Sequence, residues 1–275
     1  MPHVQQVQQV QQVQQVRIRA TTAQGERQSP AVRGRGDRAP GRPSALNALD
    51  ARCAQALVTA VARCREDDAL DAVILSGAGQ AFCAGGDMKA AAAHVAAGGD
   101  PRQFSLDLTV PLHRVVSDLR AMAKAVLAAV DGIAAGAGMS FALACDYRIG
   151  GAQARFKQAY TSMGLTPDGG WSAIVPVVVG SARAQTLLLL DPVVEAPEAL
   201  AIGLLHEVTD ELLRRTVELA RQLATRTAGA FGTAKQLLDA ALVPALEVQL
   251  ERERQAIAAR GASRDFSQRL QRFAR

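Results

Sequence analysis

Two segments rich in glycine and alanine could direct backbone N–H groups at a reacting carbonyl. They are residues 82–87 (FCAGGD) and residues 132–138 (GIAAGAG), and each follows an apolar run and precedes a predicted helix. Small residues let a ligand approach the backbone closely, and the first N–H groups of a helix have no partner inside the helix. Two such donors aimed at one point form an oxyanion hole, which stabilises an enolate or a tetrahedral intermediate. Taken singly, each segment also fits an ordinary tight turn between a strand and a helix.

Nucleotide-binding loops and the nucleophile elbow of serine hydrolases fit these segments less well. The chain has no GxxxxGK[ST] pattern here, and the Gly-Ala-Gly runs at 77–79 and 136–138 lack the third glycine of a dinucleotide fingerprint. Residues 138–142 (GMSFA) come close to the GxSxG elbow of serine hydrolases, and His206 follows later in the chain. That elbow needs its serine directly after a strand, whereas the predicted strand ends near Val130, well before Ser140. A serine hydrolase therefore stays the minor alternative.

Asp168 is a candidate acid/base, in the segment GLTPDGG at residues 164–170. A carboxyl group in an apolar pocket has a raised pKa and can accept and return a proton near neutral pH. The apolar neighbours Leu165 and Trp171 are consistent with such a pocket. The same spacing is also typical of a turn or of a helix N-cap, so the segment alone leaves both interpretations open.

Strands and helices alternate along the part of the chain that must position these residues. Apolar, β-branched runs predict buried strands over residues 70–76 and 124–130. Asp50 is the predicted N-cap of a helix that runs to about residue 68. This alternation indicates a parallel α/β architecture, followed by an all-helical C-terminal third. Further predicted helices cover residues 111–123, 181–190, 195–202, 209–226 and 234–258.

The first 43 residues differ in composition from the rest. Val-Gln-Gln triplets fill residues 4–16, and residues 20–43 are rich in Arg, Gly, Pro and Ala. A period of three matches neither a helix nor a strand, so we predict a low-complexity, disordered segment over residues 1–43. A folded core is predicted over residues 44–205 and a helical C-terminal region over residues 206–275.

Charge and the distribution of possible metal ligands exclude several function classes. Residues 1–43 carry seven arginines against two acids, a net charge of +5 that equals the +5 of the whole chain. The remainder is therefore neutral, without the basic face of a nucleic-acid module. The four cysteines and four histidines are scattered, so we expect no metal and reduced thiols. Without a signal-peptide pattern or an apolar run of about 20 residues, a cytoplasmic protein with no membrane partner is expected.

Five motifs in register resemble the crotonase (enoyl-CoA hydratase/isomerase) superfamily, and they extend the likeness over roughly residues 42–270. The motifs come closest to epoxyphenylacetyl-CoA isomerase-like and enoyl-CoA isomerase members. The resemblance implies an α/β fold, a crotonase-type spiral of ββα repeats with a helical C-terminal trimerisation region. It also implies an acyl-CoA thioester as substrate, no separate cofactor, and a homotrimer or a dimer of trimers. The motifs are ALNAL at 45–49, AVILSGAGQAFCAGGDMK at 72–89, KAVLAAVDGIAAGAG at 124–138, ACDYRI at 144–149 and MGLTPDGG at 163–170.

The resemblance further implies which residues form the site. It assigns the oxyanion donors to the N–H groups of Ala84 and Ala137. Residues 88–105 are expected to form a variable Ala/Gly-rich loop beside the acyl pocket. The other predicted substrate-binding residues line the acyl-CoA channel or lie near the pantetheine, and they are Ala45, Leu46, Gly85, Gly86, Asp87, Met88, Gly136 and Tyr160.

The sequence departs from the family at the two glutamates that add water. In register these positions hold Ser140 and Tyr160, whose hydroxyls have ordinary pKa values of about 10 or higher and are poor bases at neutral pH. Asp168 lies where several family members carry a single catalytic carboxylate. We therefore predict an isomerase in which Asp168 moves a proton from the carbon beside the thioester carbonyl to the carbon two positions along, through an enolate.

Three alternatives within the superfamily stay open, namely an enoyl-CoA hydratase, an acyl-CoA hydrolase and a catalytically inactive CoA-binding protein. Dehalogenases and hydrolases of the family rely on a tryptophan or a glutamate near position 160, which Tyr160 does not match. Family members also enter the ALNAL segment from two alternating apolar strands, whereas residues 31–43 cannot pair as a buried strand. We hypothesise a frameshift or a mis-called start upstream of about Pro43. If the reading frame is correct, we expect the fold to lose edge strands.

Overall fold

A computed structural model describes residues 16–22, 25–27, 43–226 and 230–274. These residues form two β-sheets and eleven α-helices, so the predicted α/β class is confirmed. The strands are β1 (Val16–Thr22), β2 (Gly25–Arg27), β3 (Ala72–Gly77), β4 (Ala81–Cys83), β5 (Ala125–Val130), β6 (Ile133–Ala135), β7 (Tyr147–Gly150), β8 (Arg155–Lys157), β9 (Val194–Glu195) and β10 (Glu207–Val208).

The larger sheet has six strands in the order β10-β7-β5-β3-β1-β2. In this sheet β3, β5, β7 and β10 pair in parallel. Strands β1 and β2 are antiparallel and extend the sheet beyond β3 at one edge. Every residue of β5 and five of the six residues of β3 are buried. Burial on both faces explains why these two strands read as unbroken apolar runs rather than as alternating patterns.

The smaller sheet has four strands in the order β4-β6-β8-β9. From β3 to β8 the chain alternates between the sheets: β3, β5 and β7 lie in the larger sheet, and β4, β6 and β8 lie in the smaller one. Helices follow each such pair, which is the spiral of ββα repeats that the family resemblance implied. The turns that end β4 and β6 therefore lie side by side.

The helices begin and end with local signals that the sequence carries. Asp50 accepts a hydrogen bond from the N–H of Cys53 and caps the first helix, as predicted. Asp87 and Asp100 cap the next two helices in the same way. The helices are α1 (Ala51–Glu66), α2 (Met88–Ala96), α3 (Pro101–Ala121), α4 (Ala137–Ala144), α5 (Trp171–Val179), α6 (Ser181–Leu190), α7 (Ala196–Ala201), α8 (Leu212–Arg226), α9 (Ala230–Leu242), α10 (Leu246–Gly261) and α11 (Arg264–Leu270).

The N-terminal prediction requires a correction. Strands β1 and β2 lie inside the segment predicted to be disordered, and β1 pairs with β3 from Val16 opposite Gly77 to Thr21 opposite Ala72. The expectation that edge strands are missing is therefore wrong at these residues. In the sequence, apolar and basic residues alternate from position 16 to 20, which is the period of a half-buried strand, but the Val-Gln-Gln repeat runs directly into it and hides it. The other residues of 1–42 lie outside the described part of the chain.

Two helix boundaries also differ from the predictions. The expected loop over residues 88–105 contains α2 and the first turn of α3. Its run of alanines has little apolar contrast, so helical periodicity is weak in the sequence. The single helix predicted over residues 234–258 is two helices, α9 and α10, separated at residues 243–245 around Pro244, which has no N–H to continue a helix.

Candidate active site

One cavity of about 470 Å³ lies beside the turns that end β4 and β6. Helices α2, α3, α10 and α11 supply other parts of its wall. Every site residue predicted from the sequence lines this cavity, although the residues are far apart along the chain. They are Ala45, Leu46, Ala84, Gly85, Gly86, Asp87, Met88, Gly136, Ala137, Tyr160 and Asp168.

Glycine brings the two small-residue segments into contact. Gly85 has a φ of +91°, and a Cβ added there would lie 2.9 Å from the carbonyl oxygen of Ala135 and 3.5 Å from the nitrogen of Ala137. Gly138 faces the end of β4 so closely that an added Cβ would lie 2.0 Å from the carbonyl oxygen of Cys83. The start of α4 can therefore pack against the turn after β4 only because both positions lack a side chain.

The prediction that the N–H of Ala84 is an oxyanion donor requires a correction, because this N–H is already hydrogen-bonded. The N–H of Ala84 donates to the carbonyl oxygen of Leu46 at 3.0 Å and so has a partner within the protein. Two residues further along, the N–H of Gly86 is available instead. Leu49 donates to the carbonyl of Gly85 at 2.7 Å and accepts from the N–H of Asp87 at 2.8 Å, which brackets Gly86 without using its N–H.

The available N–H groups at this point of the cavity belong to Gly86 and Ala137. Among the described residues, no hydrogen bond is made by the N–H of Gly86. Ala137 is the first residue of α4, so its N–H has no acceptor inside the helix. The sequence could not indicate that the N–H of Ala84 is occupied and that of Gly86 is available, because the acceptor for Ala84 is the carbonyl of Leu46, nearly forty residues earlier.

Asp168 lies at the buried end of the cavity, with 3% of its surface exposed. The hydroxyl of Tyr160 donates to its Oδ1 at 2.7 Å. Burial raises the pKa of Asp168 to about 7, the hydrogen bond from Tyr160 opposes this rise, and the negative charge of Glu253 adds to it. Asp168 therefore has the pKa of an acid/base that works near neutral pH.

Ser140 and Tyr160 both serve the segment that carries Asp168. The hydroxyl of Ser140, buried inside α4, donates to the backbone carbonyl of Asp168 at 2.9 Å. Tyr160 is buried as well, and burial followed by the charge of Asp168 raises the pKa of its hydroxyl well above the ordinary value. Neither hydroxyl can act as a base near neutral pH, and both orient Asp168.

The alternative of a serine hydrolase gains no support from the geometry. Ser140 lies within α4 rather than on a turn directly after a strand. His206 accepts a hydrogen bond from the N–H of Arg148 at 3.1 Å and stacks on Tyr147. The two residues thus have separate partners, and among the described residues no contact joins them.

Two residues that the sequence analysis did not single out support the turn after Asp168. His113 accepts a hydrogen bond from the N–H of Gly169 at 3.4 Å, and burial together with the charge of Arg254 lowers its pKa to about 4. Glu253 accepts from the N–H of Gly170 at 2.7 Å and from that of Ser172 at 2.8 Å. The available signal was a carboxylate at helical spacing between the apolar residues Leu250 and Ile257.

The C-terminal segment completes the cavity wall. Phe266 on α11 and Phe273 just beyond it line the cavity together with Ile257 of α10. Phe266 packs in a small apolar cluster with Ala91 and Ala92 of α2. The aromatic side chains near the end of the chain thus contact the same space as the predicted site residues.

Neither a metal site nor a membrane span is apparent in the described part of the chain. Among its residues, no three His, Cys, Asp or Glu side chains are grouped so that they could hold a metal ion. None of its helices is both long enough and apolar enough to cross a bilayer.

Comparison with known proteins gives one consistent result. The family described as "Enoyl-CoA hydratase/isomerase" matches residues 41–275. The chain is 33% identical over 238 residues to a 1,2-epoxyphenylacetyl-CoA isomerase of Escherichia coli (strain K12), a match that covers 84% of this chain and 88% of the relative. It is 34% identical over 238 residues to a probable enoyl-CoA hydratase of Rhodobacter capsulatus, with the same coverage of 84% and 88%.

A solved structure agrees with these relatives. A crystal structure of an enoyl-CoA hydratase from Mycobacterium avium subsp. paratuberculosis K-10 superposes with a TM-score of 0.75 at 31% identity, covering 85% of this chain and 89% of that one. Sequence, fold and the cavity between two small-residue turns agree. The chain belongs to the enoyl-CoA hydratase/isomerase family, the crotonase superfamily of acyl-CoA enzymes.

Proposed function

We propose that this protein shifts the double bond of an enoyl-CoA through a thioester enolate, with Asp168 as its single acid/base. The observation that carries the proposal is the buried carboxyl group of Asp168, with a pKa near 7, in the same cavity as the available N–H groups of Gly86 and Ala137. Asp87 also lines the cavity, but its carboxylate accepts from the N–H groups of Lys89 and Ala90 and caps α2. Asp168 is the carboxylate left for chemistry.

The proposed reaction needs one base and one pair of donors. Asp168 takes a proton from the carbon beside the thioester carbonyl, and the electrons of that C–H bond move into the enolate. The N–H groups of Gly86 and Ala137 hold the negative oxygen, a contribution whose loss typically lowers the rate on the order of a hundred- to a thousandfold for one donor. Asp168 then returns the proton two carbons along, and the double bond comes into conjugation with the carbonyl.

Hydration is the less favoured reaction because it requires a second base to activate water. The two positions that hold glutamates in family hydratases are occupied here by Ser140 and Tyr160, and both hydroxyls donate to Asp168. The Tyr160 hydroxyl is bonded to the carboxyl group of Asp168 and the Ser140 hydroxyl to its backbone carbonyl, so neither is a base for water. A relative named as an isomerase and one named as a hydratase are similar to this chain to nearly the same degree. The preference for isomerisation therefore rests on the residues of the site.

A panel of acyl-CoA thioesters assayed for three products tests this proposal. Incubation of the purified protein with 3-enoyl-, 2-enoyl- and saturated acyl-CoAs should give 2-enoyl-CoA from the 3-enoyl substrates, with little 3-hydroxyacyl-CoA and little free CoA. Dominant hydration of 2-enoyl-CoA or dominant release of CoA would overturn the proposal. Tight binding of CoA thioesters without turnover would identify an inactive member of the family.

A further inference from the structure

Glu253 is a buried carboxylate that α10 directs at the start of α5. It is 4% exposed, and its two oxygens accept from the N–H of Gly170 at 2.7 Å and from the N–H of Ser172 at 2.8 Å. The hydroxyl of Ser172 donates to it as well, and Gln249, one turn earlier on α10, donates to that hydroxyl at 2.8 Å. This contact joins two elements more than eighty residues apart.

The segment that Glu253 holds is the turn that carries Asp168. Gly169 and Gly170 follow Asp168 with φ values of +66° and +81°, so two left-handed residues in succession turn the chain into α5. The N–H of Trp171 closes the turn on the carbonyl of Asp168 at 3.3 Å. The N–H groups of the two glycines are bound from outside the turn, that of Gly169 by His113 and that of Gly170 by Glu253.

The charge of Glu253 has no cationic partner to neutralise it. Among the described residues it forms no salt bridge. Its negative charge acts on Asp168 and Tyr160. Its neighbours on α10, Arg254 and Glu251, pair with each other, and their charges act on His113. Burial raises the pKa of Glu253, but three donors hold its ionised form.

We propose that Glu253 is a positioning residue for Asp168, which fixes the 168–172 turn through two backbone N–H groups and holds a buried carboxylate behind that turn. This inference rests on the proposed function of Asp168. Glu253 itself does not line the cavity, so it acts through the turn and not through contact with substrate. Its charge adds to the effect of burial in raising the pKa of Asp168.

The rate of 3-enoyl-CoA isomerisation as a function of pH tests the role of Glu253. Glu253→Gln removes the charge at nearly constant shape, so the acid limb of kcat/KM should move to lower pH by about half a unit or more. The turn loses one of its acceptors in this variant, so kcat should fall by about tenfold or more while KM stays within about twofold. Glu247→Gln, an exposed carboxylate on the same helix, is the matched control and should change neither.

A second variant separates the effect of the charge of Glu253 from the effect of its side-chain length. Glu253→Asp keeps the charge on a shorter side chain, so kcat should fall by about fivefold or more while the acid limb stays where it is in the parent protein. This variant also decides the question if the Gln variant fails to fold. A wild-type kcat together with an unmoved acid limb in either variant would overturn the proposal.

Failure of this inference is distinguishable from failure of the proposed function. If Asp168→Asn isomerises at the parent rate, Asp168 is not the base and the proposed function itself is wrong. If Asp168→Asn is inactive while Glu253→Gln has the parent rate and pH profile, only the role of Glu253 is overturned.

Discussion

At the scale of single residues, the ionisation of Asp168 is set by opposing effects of unequal size. Burial is the largest and favours the neutral acid, the Tyr160 hydrogen bond favours the carboxylate, and the net pKa is about 7 against an ordinary 3.8. A shift of this size corresponds to about 4 kcal/mol. Because the folded-state pKa is raised, the stabilising contribution of protonated Asp168 is complete below about pH 4 and is lost as the pH rises through 7. Catalysis as a base has the opposite dependence and increases over that range.

Removal of the Tyr160 hydroxyl should move the pH profile upward. In Tyr160→Phe, Asp168 loses the donor that stabilises its charged form, so the acid limb of kcat/KM is expected to rise above pH 7 by about half to one unit. Tyr147→Phe is the matched control, because Tyr147 stacks on His206 and does not line the cavity. A pH profile of isomerisation for both variants provides the measurement. An acid limb at or below that of the parent would contradict the role given to Tyr160.

Removal of the Gly86 N–H should remove half of the oxyanion site. Gly86→Pro eliminates that donor, and kcat should fall on the order of a hundred- to a thousandfold. Gly86→Ala keeps the N–H, and its Cβ would meet only the side-chain ends of Leu108 and Met88 at 3.3 Å, so it controls for bulk. Steady-state isomerisation and circular dichroism of both variants separate catalysis from folding. Activity of the proline variant at the parent level would show that the N–H of Gly86 is not an oxyanion donor.

At the scale of elements, the site depends on how closely α4 packs against the end of β4. Helix propensity alone favours Ala over Gly at position 138 by about 1 kcal/mol. Packing opposes it, because a Cβ there would overlap the carbonyl oxygen of Cys83 at 2.0 Å. Overpacking in a fixed core typically costs about 1–3 kcal/mol, so packing is expected to win.

Gly138→Ala should therefore destabilise the protein despite the gain in helix propensity. We expect the free energy of unfolding to fall by about 1–2 kcal/mol in urea denaturation. Gly86→Ala, whose methyl group would displace only the flexible ends of Leu108 and Met88, should lie within about 0.5 kcal/mol of the parent. A stability equal to or above the parent for Gly138→Ala would show that β4 and α4 can move apart without cost.

Elements with strong local signals could be predicted from the sequence, and those set by tertiary contacts could not. Helix α6 matches its predicted range of 181–190, and α1 begins after the predicted cap Asp50. Helix α2 could not be recognised, because its alanines are compatible with helix or loop and only packing against α3 and α11 decides. The break between α9 and α10 was visible in Pro244 but was outweighed by the apolar spacing on either side.

At the scale of the whole molecule, the motifs could predict which residues line the site, but they could not predict which of their polar groups are already hydrogen-bonded. All eleven predicted site residues line one cavity, which order and spacing could indicate. The hydrogen bond that occupies Ala84, the hold of Glu253 on the Asp168 turn and the pairing of β1 with β3 are contacts between distant parts of the chain. No local pattern records such contacts, so only the structure shows which N–H is available.

The most direct test of a single-carboxylate enolate site is proton NMR of a 3-enoyl-CoA in D₂O with the parent protein and with Asp168→Asn. The parent protein should form 2-enoyl-CoA, with deuterium entering at the carbon atoms that exchange protons with Asp168 and without 3-hydroxyacyl-CoA as the main product. The Asn variant should be slower by about 100-fold or more. Isomerisation by Asp168→Asn at the parent rate, or 3-hydroxyacyl-CoA as the main product of the parent, would contradict the account.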